Sequence, residues 1–273
     1  MLRSLQDLEN YEIGAVDGGI GHVKDFYFDD HTWVIRYLVV ETGHWLSSRK
    51  VLISPIAIRH PDWANKLLPV TITKEQVKSS PEIDTQKPVS RQSEIQYLAH
   101  YGYPYYWEGD GLWGSGMYPY AMSPENTGSS ANRIDREIVS KEMAAKERAL
   151  SQTQDPNLRS CADVVGHYIH AIDGEIGHVA ALLVDEETWA IRYFVIDTSN
   201  WWVGHQVLIA PQWITNVSWV DQSVTVGLTR ESVRTAPGFT STHELNRSEE
   251  AGLYRHHQRH GYWMDTLKLE REI

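Results

Sequence analysis

Histidines near the C-terminus have the residue type and spacing of a metal site. His256 and His260 are four positions apart, and in a helix this spacing would place both imidazoles on one face. Two imidazoles contribute to a zinc site only when further ligands complete it. The sequence identifies no third ligand, so we predict no metal site and keep this pair as a weak candidate against a solvated helix end.

A second histidine pattern occurs early in each half of the chain. His22 precedes Asp25 by three positions, a combination that suggests an acid–base pair. Residues three apart in a β-strand point to opposite faces, and in the second half, where His178 is the counterpart of His22, Ala181 replaces the acid. We therefore expect a structural role for both histidines.

Two arginines lie among apolar neighbours in predicted strands, Arg36 in the first half and Arg192 in the second. A buried guanidinium needs a carboxylate or several carbonyl groups as partners. We predict an ion pair within the domain, and anion binding is the alternative. The candidate acids are Asp29, Glu41, Asp185 and Asp197.

The segment from Tyr101 to Trp107 has an unusually high density of aromatic residues. Trp113, Tyr118 and Tyr120 follow it in a stretch rich in glycine, serine and proline. Clusters of Tyr and Trp stabilise interfaces because they bury a large area and keep a polar edge. Two alternatives stay open: docking against the chain's own domains, or contact with another protein or a planar ligand. The candidate interaction residues are Tyr101, Tyr103, Tyr105, Tyr106 and Trp107.

The familiar catalytic motifs are missing from the sequence. It contains no glycine-rich phosphate loop, no paired thiols and no serine-nucleophile motif. We predict that the protein is not an enzyme, with no catalytic residue and no cofactor.

Composition limits the partners and the compartment. With 25 basic and 36 acidic side chains the formal charge is −11, which disfavours direct binding to nucleic acid. The single cysteine, Cys161, excludes an intramolecular disulfide and fits a reducing compartment. The first residues lack the apolar core of a signal peptide, and no apolar run is long enough to cross a bilayer. We expect a cytoplasmic protein.

The two halves of the chain repeat one another. A shift of about 156 residues aligns them without a gap from the first turn to the start of a helix. Chance does not align so many Gly, Trp and Pro positions. The matches include Gly18 with Gly174, Gly21 with Gly177, Trp33 with Trp189, Tyr37 with Tyr193, Trp45 with Trp201 and Pro55 with Pro211.

The local pattern within each half predicts strands. Asp17-Gly18 and Asp173-Gly174 are typical of hairpin turns, and an alternating segment follows over residues 33–42. We assign the face that is unchanged between the halves to the core, beginning at the tryptophan. The predicted structural residues are Trp33, Arg36, Tyr37, Trp189, Arg192 and Tyr193.

A helix is predicted after each set of strands. Ser90 and Asn246 are favourable N-caps, and Gly102 and Gly261 are favourable C-terminal stops. Each helix carries a stripe that we expect to pack on a strand domain or on the other helix. The stripes are Glu94, Tyr97, Leu98 and Tyr101 in the first helix, and Glu250, Leu253, Tyr254 and His257 in the second.

Several motifs of the first half form a recognisable set. They are Gly21-His22-Val23-Lys24-Asp25, Thr32-Trp33, Arg36-Tyr37-Leu38-Val39-Val40, Thr42-Gly43, Trp45-Leu46, Val51-Leu52-Ile53-Ser54-Pro55, Ser80-Pro81 and Tyr101-Gly102-Tyr103-Pro104-Tyr105-Tyr106-Trp107. On these residues the sequence resembles the PRC-barrel family. The resemblance implies a mainly β fold with two small PRC-type β-barrels in tandem, each followed by a short helix. We predict a first barrel at 1–82, a helix and aromatic arm at 83–107, a linker with a helix-favouring part at 108–157, a second barrel at 158–238, and a C-terminal helix and tail at 239–273.

The resemblance predicts a fold but not a specific activity, because one fold can carry many functions. The family includes the cytoplasmic part of the photosynthetic reaction centre H subunit, the C-terminal domain of the ribosome maturation factor and free-standing bacterial proteins. We expect a binding or scaffold protein that contacts other proteins and self-associates. The alternatives are an accessory to photosynthetic or electron-transfer complexes at the membrane face, as a peripheral member, and an accessory to ribosome assembly or RNA processing.

Overall fold

The protein divides into two compact units. The computed structural model describes residues 1–81, 89–124, 158–198, 205–240 and 245–264. Unit 1 contains Met1, Arg3–Asp163 and Val184–Ile191, and unit 2 contains Leu2, Val164–Leu183 and Arg192–Ile273. The helix-favouring part of the predicted linker lies outside the described residues.

Unit 1 is built on a six-stranded sheet in the order β5-β4-β3-β2-β6, with β7 paired to β3 beside this path. Its strands are β2 (Glu12–Ala15), β3 (Gly18–Asp29), β4 (Val34–Thr42), β5 (Lys50–Ile53), β6 (Leu67–Pro69) and β7 (Leu158–Ser160). All pairings are antiparallel except that of β2 with β6. The sheet thus takes one strand from far along the chain.

The sheet of unit 2 repeats this order. It runs β11-β10-β9-β8-β13-β12, and the N-terminal strand β1 (Leu2–Ser4) pairs with β9. The other strands are β8 (Tyr168–Ala171), β9 (Gly174–Asp185), β10 (Ile191–Asp197), β11 (Gln206–Ile209), β12 (Ile214–Ser218) and β13 (Ser223–Val226). The predicted mainly β architecture with a repeated strand module is confirmed.

The central strand β4 is buried on both of its faces. Residues 34–40 are all buried, including Arg36 at 2% exposure. Trp33, which we predicted as the first core residue of this strand, instead lies in the preceding turn with φ of 56°, and Trp189 has the same conformation with φ of 57°. The alternating pattern missed this, because a turn residue with positive φ has no place in strand periodicity.

The helices are short. They are α1 (Leu5–Leu8), α2 (Lys74–Lys78), α3 (Arg91–Tyr101), α4 (Cys161–Val164), α5 (Arg230–Arg234) and α6 (Arg247–His256). Short 3-10 turns cover His44–Leu46, Pro55–Ala57, Pro119–Met122 and Pro211–Trp213. In the part of the chain described, no helix has the length and apolar character needed to cross a membrane.

The helix limits follow from their caps. Ser90 accepts a hydrogen bond from the backbone N–H of Ser93, and Gly102 ends α3 with φ of 70°, so both predicted limits of α3 are confirmed. Asn246 caps α6 as predicted. The predicted stop at Gly261 is wrong, because α6 ends at His256, before that glycine is reached.

Candidate functional site

A buried polar cluster of unit 1 forms where α3 packs on the sheet. The stripe predicted for this helix is buried, with Glu94, Tyr97, Leu98 and Tyr101 between 0% and 7% exposed. Tyr97 contacts Tyr37 of β4 edge-on, with ring centroids 4.8 Å apart. The stripe therefore places a carboxyl group, Glu94, inside the apolar interface between helix and sheet.

Glu94 is held by two tyrosines and an arginine. Tyr106 donates its hydroxyl to Oε1 of Glu94 over 2.5 Å, and Tyr37 donates to the same oxygen over a longer 3.4 Å. Nη1 of Arg91, one turn earlier on α3, lies 3.0 Å from Oε2 of Glu94 and also donates to the hydroxyl of Tyr106 over 2.9 Å. These contacts tie strand, helix and aromatic arm together at one side chain.

Burial dominates the electrostatics of this cluster. It raises the pKa of Glu94 to about 7, although Arg91 and the hydrogen bond from Tyr106 act in the opposite direction. Burial also raises the pKa of both Tyr37 and Tyr106 well above the ordinary tyrosine value, with the Glu94 charge as the next cause. The tyrosines therefore act as neutral hydrogen-bond donors.

Arg36 lies between the aromatic rings beside this cluster. Its guanidinium carbon is 3.8 Å from the ring centroid of Tyr106 and 4.7 Å from that of Trp113. It donates to the carbonyl of Leu112 over 2.6 Å, and its Nη2 lies 3.6 Å from Oδ2 of Asp29. The predicted ion pair within the domain is confirmed, and the structure identifies Asp29 as its acid, whereas Glu41 lies 3.8 Å from Lys24. The stacked rings supply the rest of the environment that a buried guanidinium needs.

Unit 2 contains the same cluster 156 residues later. Glu250 accepts hydrogen bonds from the hydroxyls of Tyr193 and Tyr262, both over 2.9 Å, and Nη1 of Arg247 lies 2.8 Å from its Oε2. The guanidinium of Arg192 stacks on Tyr262 at 4.1 Å. Each unit thus fastens its helix and arm to its sheet by the same chemistry.

The sequence reasoning missed the arginine, and the role of the glutamate, in both clusters. The predicted repeat ends at the start of the helix, although the same shift of 156 residues continues through the helix. Extending it would have paired Arg91 with Arg247, Glu94 with Glu250, Tyr106 with Tyr262 and Trp107 with Trp263.

The predicted interaction residues separate into two groups. Tyr101, Tyr103 and Tyr106 are 7%, 6% and 3% exposed. For these three residues the alternative of docking against the chain's own domain is confirmed, and their assignment as contact residues for another protein is wrong. Tyr105 and Trp107 are half-buried and stack with ring centroids 4.8 Å apart. The arm docks on its own unit through Tyr103 and Tyr106, while Tyr105 and Trp107 between and after them stay half-buried. Composition alone does not show which of these neighbours is buried.

The aromatic residues after the arm also divide into buried and exposed ones. Trp113 is buried, and its indole N–H donates to the carbonyl of Thr188 in the same unit over 2.8 Å. Tyr118 and Tyr120 stack at 5.4 Å, and Tyr120 is 54% exposed. A second stacked pair of rings therefore lies beyond the arm, in the segment that follows it.

The weak metal candidate in α6 is not assembled. His256, the last residue of the helix, has Nε2 2.9 Å from the carbonyl oxygen of Ser232. Gln258 then takes φ of 53°, which turns the chain before the exposed His260. The prediction that His256 and His260 share a helix face is wrong because the helix ends between them.

The histidine at the start of β3 is likewise separate from the neighbouring acid. His22 is exposed, whereas Asp25 accepts hydrogen bonds from the hydroxyl of Ser160 over 2.6 Å and from the backbone N–H of Ala162 over 3.2 Å. The chemistry of Asp25 is that of an acceptor for the segment around β7. It is not a general base in a pair with His22.

Residues 3–77 match the family model of the PRC-barrel domain. No curated protein matches the chain.

Proposed function

We propose that this protein, whose residues 3–77 match the PRC-barrel domain family, is a non-enzymatic binding and scaffold protein whose aromatic arm contacts a protein partner. Domains of this kind support an interaction role in general terms, and the contacts of the arm suggest where the interaction occurs.

One observation carries the proposal. The arm is held in place by the buried Tyr106, while the rings of Tyr105 and Trp107 stack on each other at the surface. Tyr106 anchors the arm through Glu94, and the guanidinium of Arg91 stacks on Trp107 at 4.1 Å. Trp107 in turn stacks on Tyr105. A rigid, half-exposed aromatic pair loses little conformational entropy on binding, which favours its use as a contact point.

The charge of the chain favours a basic partner. The formal charge is −11, and the exposed residues Glu108 and Asp110 follow directly after the aromatic pair. Opposite charge steers association and selects among partners. We therefore propose a protein with a basic surface as the partner, and no direct contact with nucleic acid.

The experiment is affinity capture after mild crosslinking in the source cell, comparing the unaltered protein with the double variant Tyr105→Ala/Trp107→Ala. The matched control is Tyr168→Ala, which removes a tyrosine that is 50% exposed elsewhere. We expect a partner that is recovered with the unaltered protein and the control and strongly depleted with the double variant. Equal recovery with all three proteins would contradict the assignment of the arm.

The identity of the captured partner separates the finer proposals. A component of a photosynthetic or electron-transfer complex would support the accessory role at the membrane face, and a basic ribosomal protein would support a role in ribosome assembly. Recovery of the protein alone, with a dimer mass by light scattering, would support self-association in place of a heteromeric scaffold.

A further inference from the structure

The edge of β3 in unit 1 binds a segment from far along the chain. Strand β7 pairs antiparallel with it, so that Ser160 lies opposite Tyr27 and Leu158 lies opposite Asp29. Leu158 is 1% exposed. Although β7 has only three residues, it adds a strand to the sheet and buries the apolar side chain of Leu158.

Side chains around this edge recognise the segment by its residue types. Asp30 accepts from Nε of Arg159 over 3.2 Å. Asp25 accepts from the hydroxyl of Ser160 and from the N–H of Ala162. We call residues 25–30 the acceptor edge; it selects an apolar residue, a cation and a hydroxyl in that order.

The chain carries this tripeptide twice. Leu2-Arg3-Ser4 is identical to Leu158-Arg159-Ser160, and each is followed by one short helical turn, α1 and α4 respectively. The N-terminal tripeptide forms β1, which pairs with β9, and its Arg3 donates to Glu186 over 2.7 Å. Glu186 is the residue equivalent to Asp30, so the arginine contact is the same in both places.

The binding sites of the two tripeptides, on β3 and on β9, differ in one hydrogen-bond acceptor. Ala181 stands at the position equivalent to Asp25, and alanine has no carboxylate to accept from the serine hydroxyl or from the next helical turn. The acceptor edge in unit 1 therefore offers the N-terminal segment two hydrogen bonds to a carboxylate that its own location cannot offer.

We propose that the acceptor edge is a strand-binding site for the N-terminal segment of a second copy of this chain, in competition with the chain's own β7. Tethering favours β7, because an attached segment has a high effective concentration. Weakening β7 shifts the site towards the second copy. Pairing through added strands supplies backbone hydrogen bonds, and the three side-chain contacts supply selectivity.

The direct test is binding of a peptide comprising residues 1–9, labelled at its C-terminus, measured by fluorescence anisotropy against the full-length protein. Two variants weaken β7 and leave the acceptor edge intact: Arg159→Glu, which opposes Asp30, and the milder Ser160→Ala, which removes one hydroxyl donor. We expect each to bind the peptide at least about tenfold more tightly than the unaltered protein does, the loss of one charge-assisted hydrogen bond being sufficient for that factor.

The matched control is the same peptide with Arg3→Glu, which should not bind either variant. Sedimentation velocity of full-length Arg159→Glu should show a dimer that increases with concentration and disappears when Arg3→Glu is added to the same chain. Absence of peptide binding to the folded Ser160→Ala variant, or binding that is indifferent to Arg3→Glu, would overturn the proposal. Neither outcome depends on the aromatic arm, so the test is independent of the proposed partner.

Discussion

The hydroxyl of Tyr106 lies 2.5 Å from Oε1 of Glu94, and 156 residues later the hydroxyl of Tyr262 lies 2.9 Å from Oε1 of Glu250. In both units this bond joins the segment after the helix to the helix itself. An arginine at the first position of each helix faces the same glutamate. The duplication has therefore kept a buried polar anchor as well as an apolar core.

Removing the anchor should destabilise unit 1. Tyr106→Phe leaves the buried Glu94 without its shortest hydrogen bond, and we expect a loss of about 1–3 kcal/mol in the free energy of unfolding. Urea denaturation followed by tryptophan fluorescence measures this loss. The control is Tyr168→Phe, at a half-exposed position in β8, which should have little effect. Equal denaturation midpoints for the two variants would show that the bond contributes nothing.

The stability of the protein should fall as the pH rises through neutrality. Burial raises the pKa of Glu94 to about 7 from an ordinary value of 4.5, so the folded state binds this proton more tightly than the unfolded chain does. The resulting stabilisation is complete below pH 4.5 and is lost as the pH rises through about 7.

The variant Glu94→Gln isolates this effect, because the amide does not titrate. Between pH 5 and pH 8 the unaltered protein should lose stability relative to the variant by an amount on the order of 3 kcal/mol. Thermal denaturation across this pH range provides the measurement. Parallel curves for the two proteins would mean that Glu94 does not titrate in this window.

Arg36 should be far more important for stability than a surface arginine. Arg36→Met removes the donors to Leu112 and leaves the buried Asp29 without its cation, which should cost about 3 kcal/mol or more. The control is Arg234→Met, where an exposed arginine pairs with Glu231 and little change is expected. Loss of a bound anion with unchanged stability would instead support the alternative of anion binding.

Gly21 should not tolerate a side chain. A Cβ at this position would collide with the backbone carbonyl of Glu41 on the paired strand β4. Gly21→Ala should therefore separate β3 from β4 locally and destabilise the protein by about 2 kcal/mol or more. Gly252→Ala is the control, because the added methyl group meets nothing within 4 Å in α6 and alanine favours a helix. Comparing the two melting temperatures tests both expectations.

The partly correct prediction for the aromatic arm shows where sequence reasoning stops. The composition of residues 101–107 predicts that this segment buries aromatic surface, and it does so. The composition could not show that Tyr106 turns inwards to Glu94 while Trp107 stays at the surface, because these neighbours differ only in which side of an irregular segment they occupy. No periodicity distinguishes the sides of such a segment.

The sequence by itself determined the repeat, most of the strand pattern, and the buried stripes of the two longer helices with most of their caps. These features depend on residue types within a few positions of one another. Only the tertiary structure decided which acid pairs with Arg36 and where the two Leu-Arg-Ser segments lie. Ser160 and Asp25 are 135 positions apart, and a three-residue strand carries too little local signal to name its partner. Such pairings depend on the path of the whole chain.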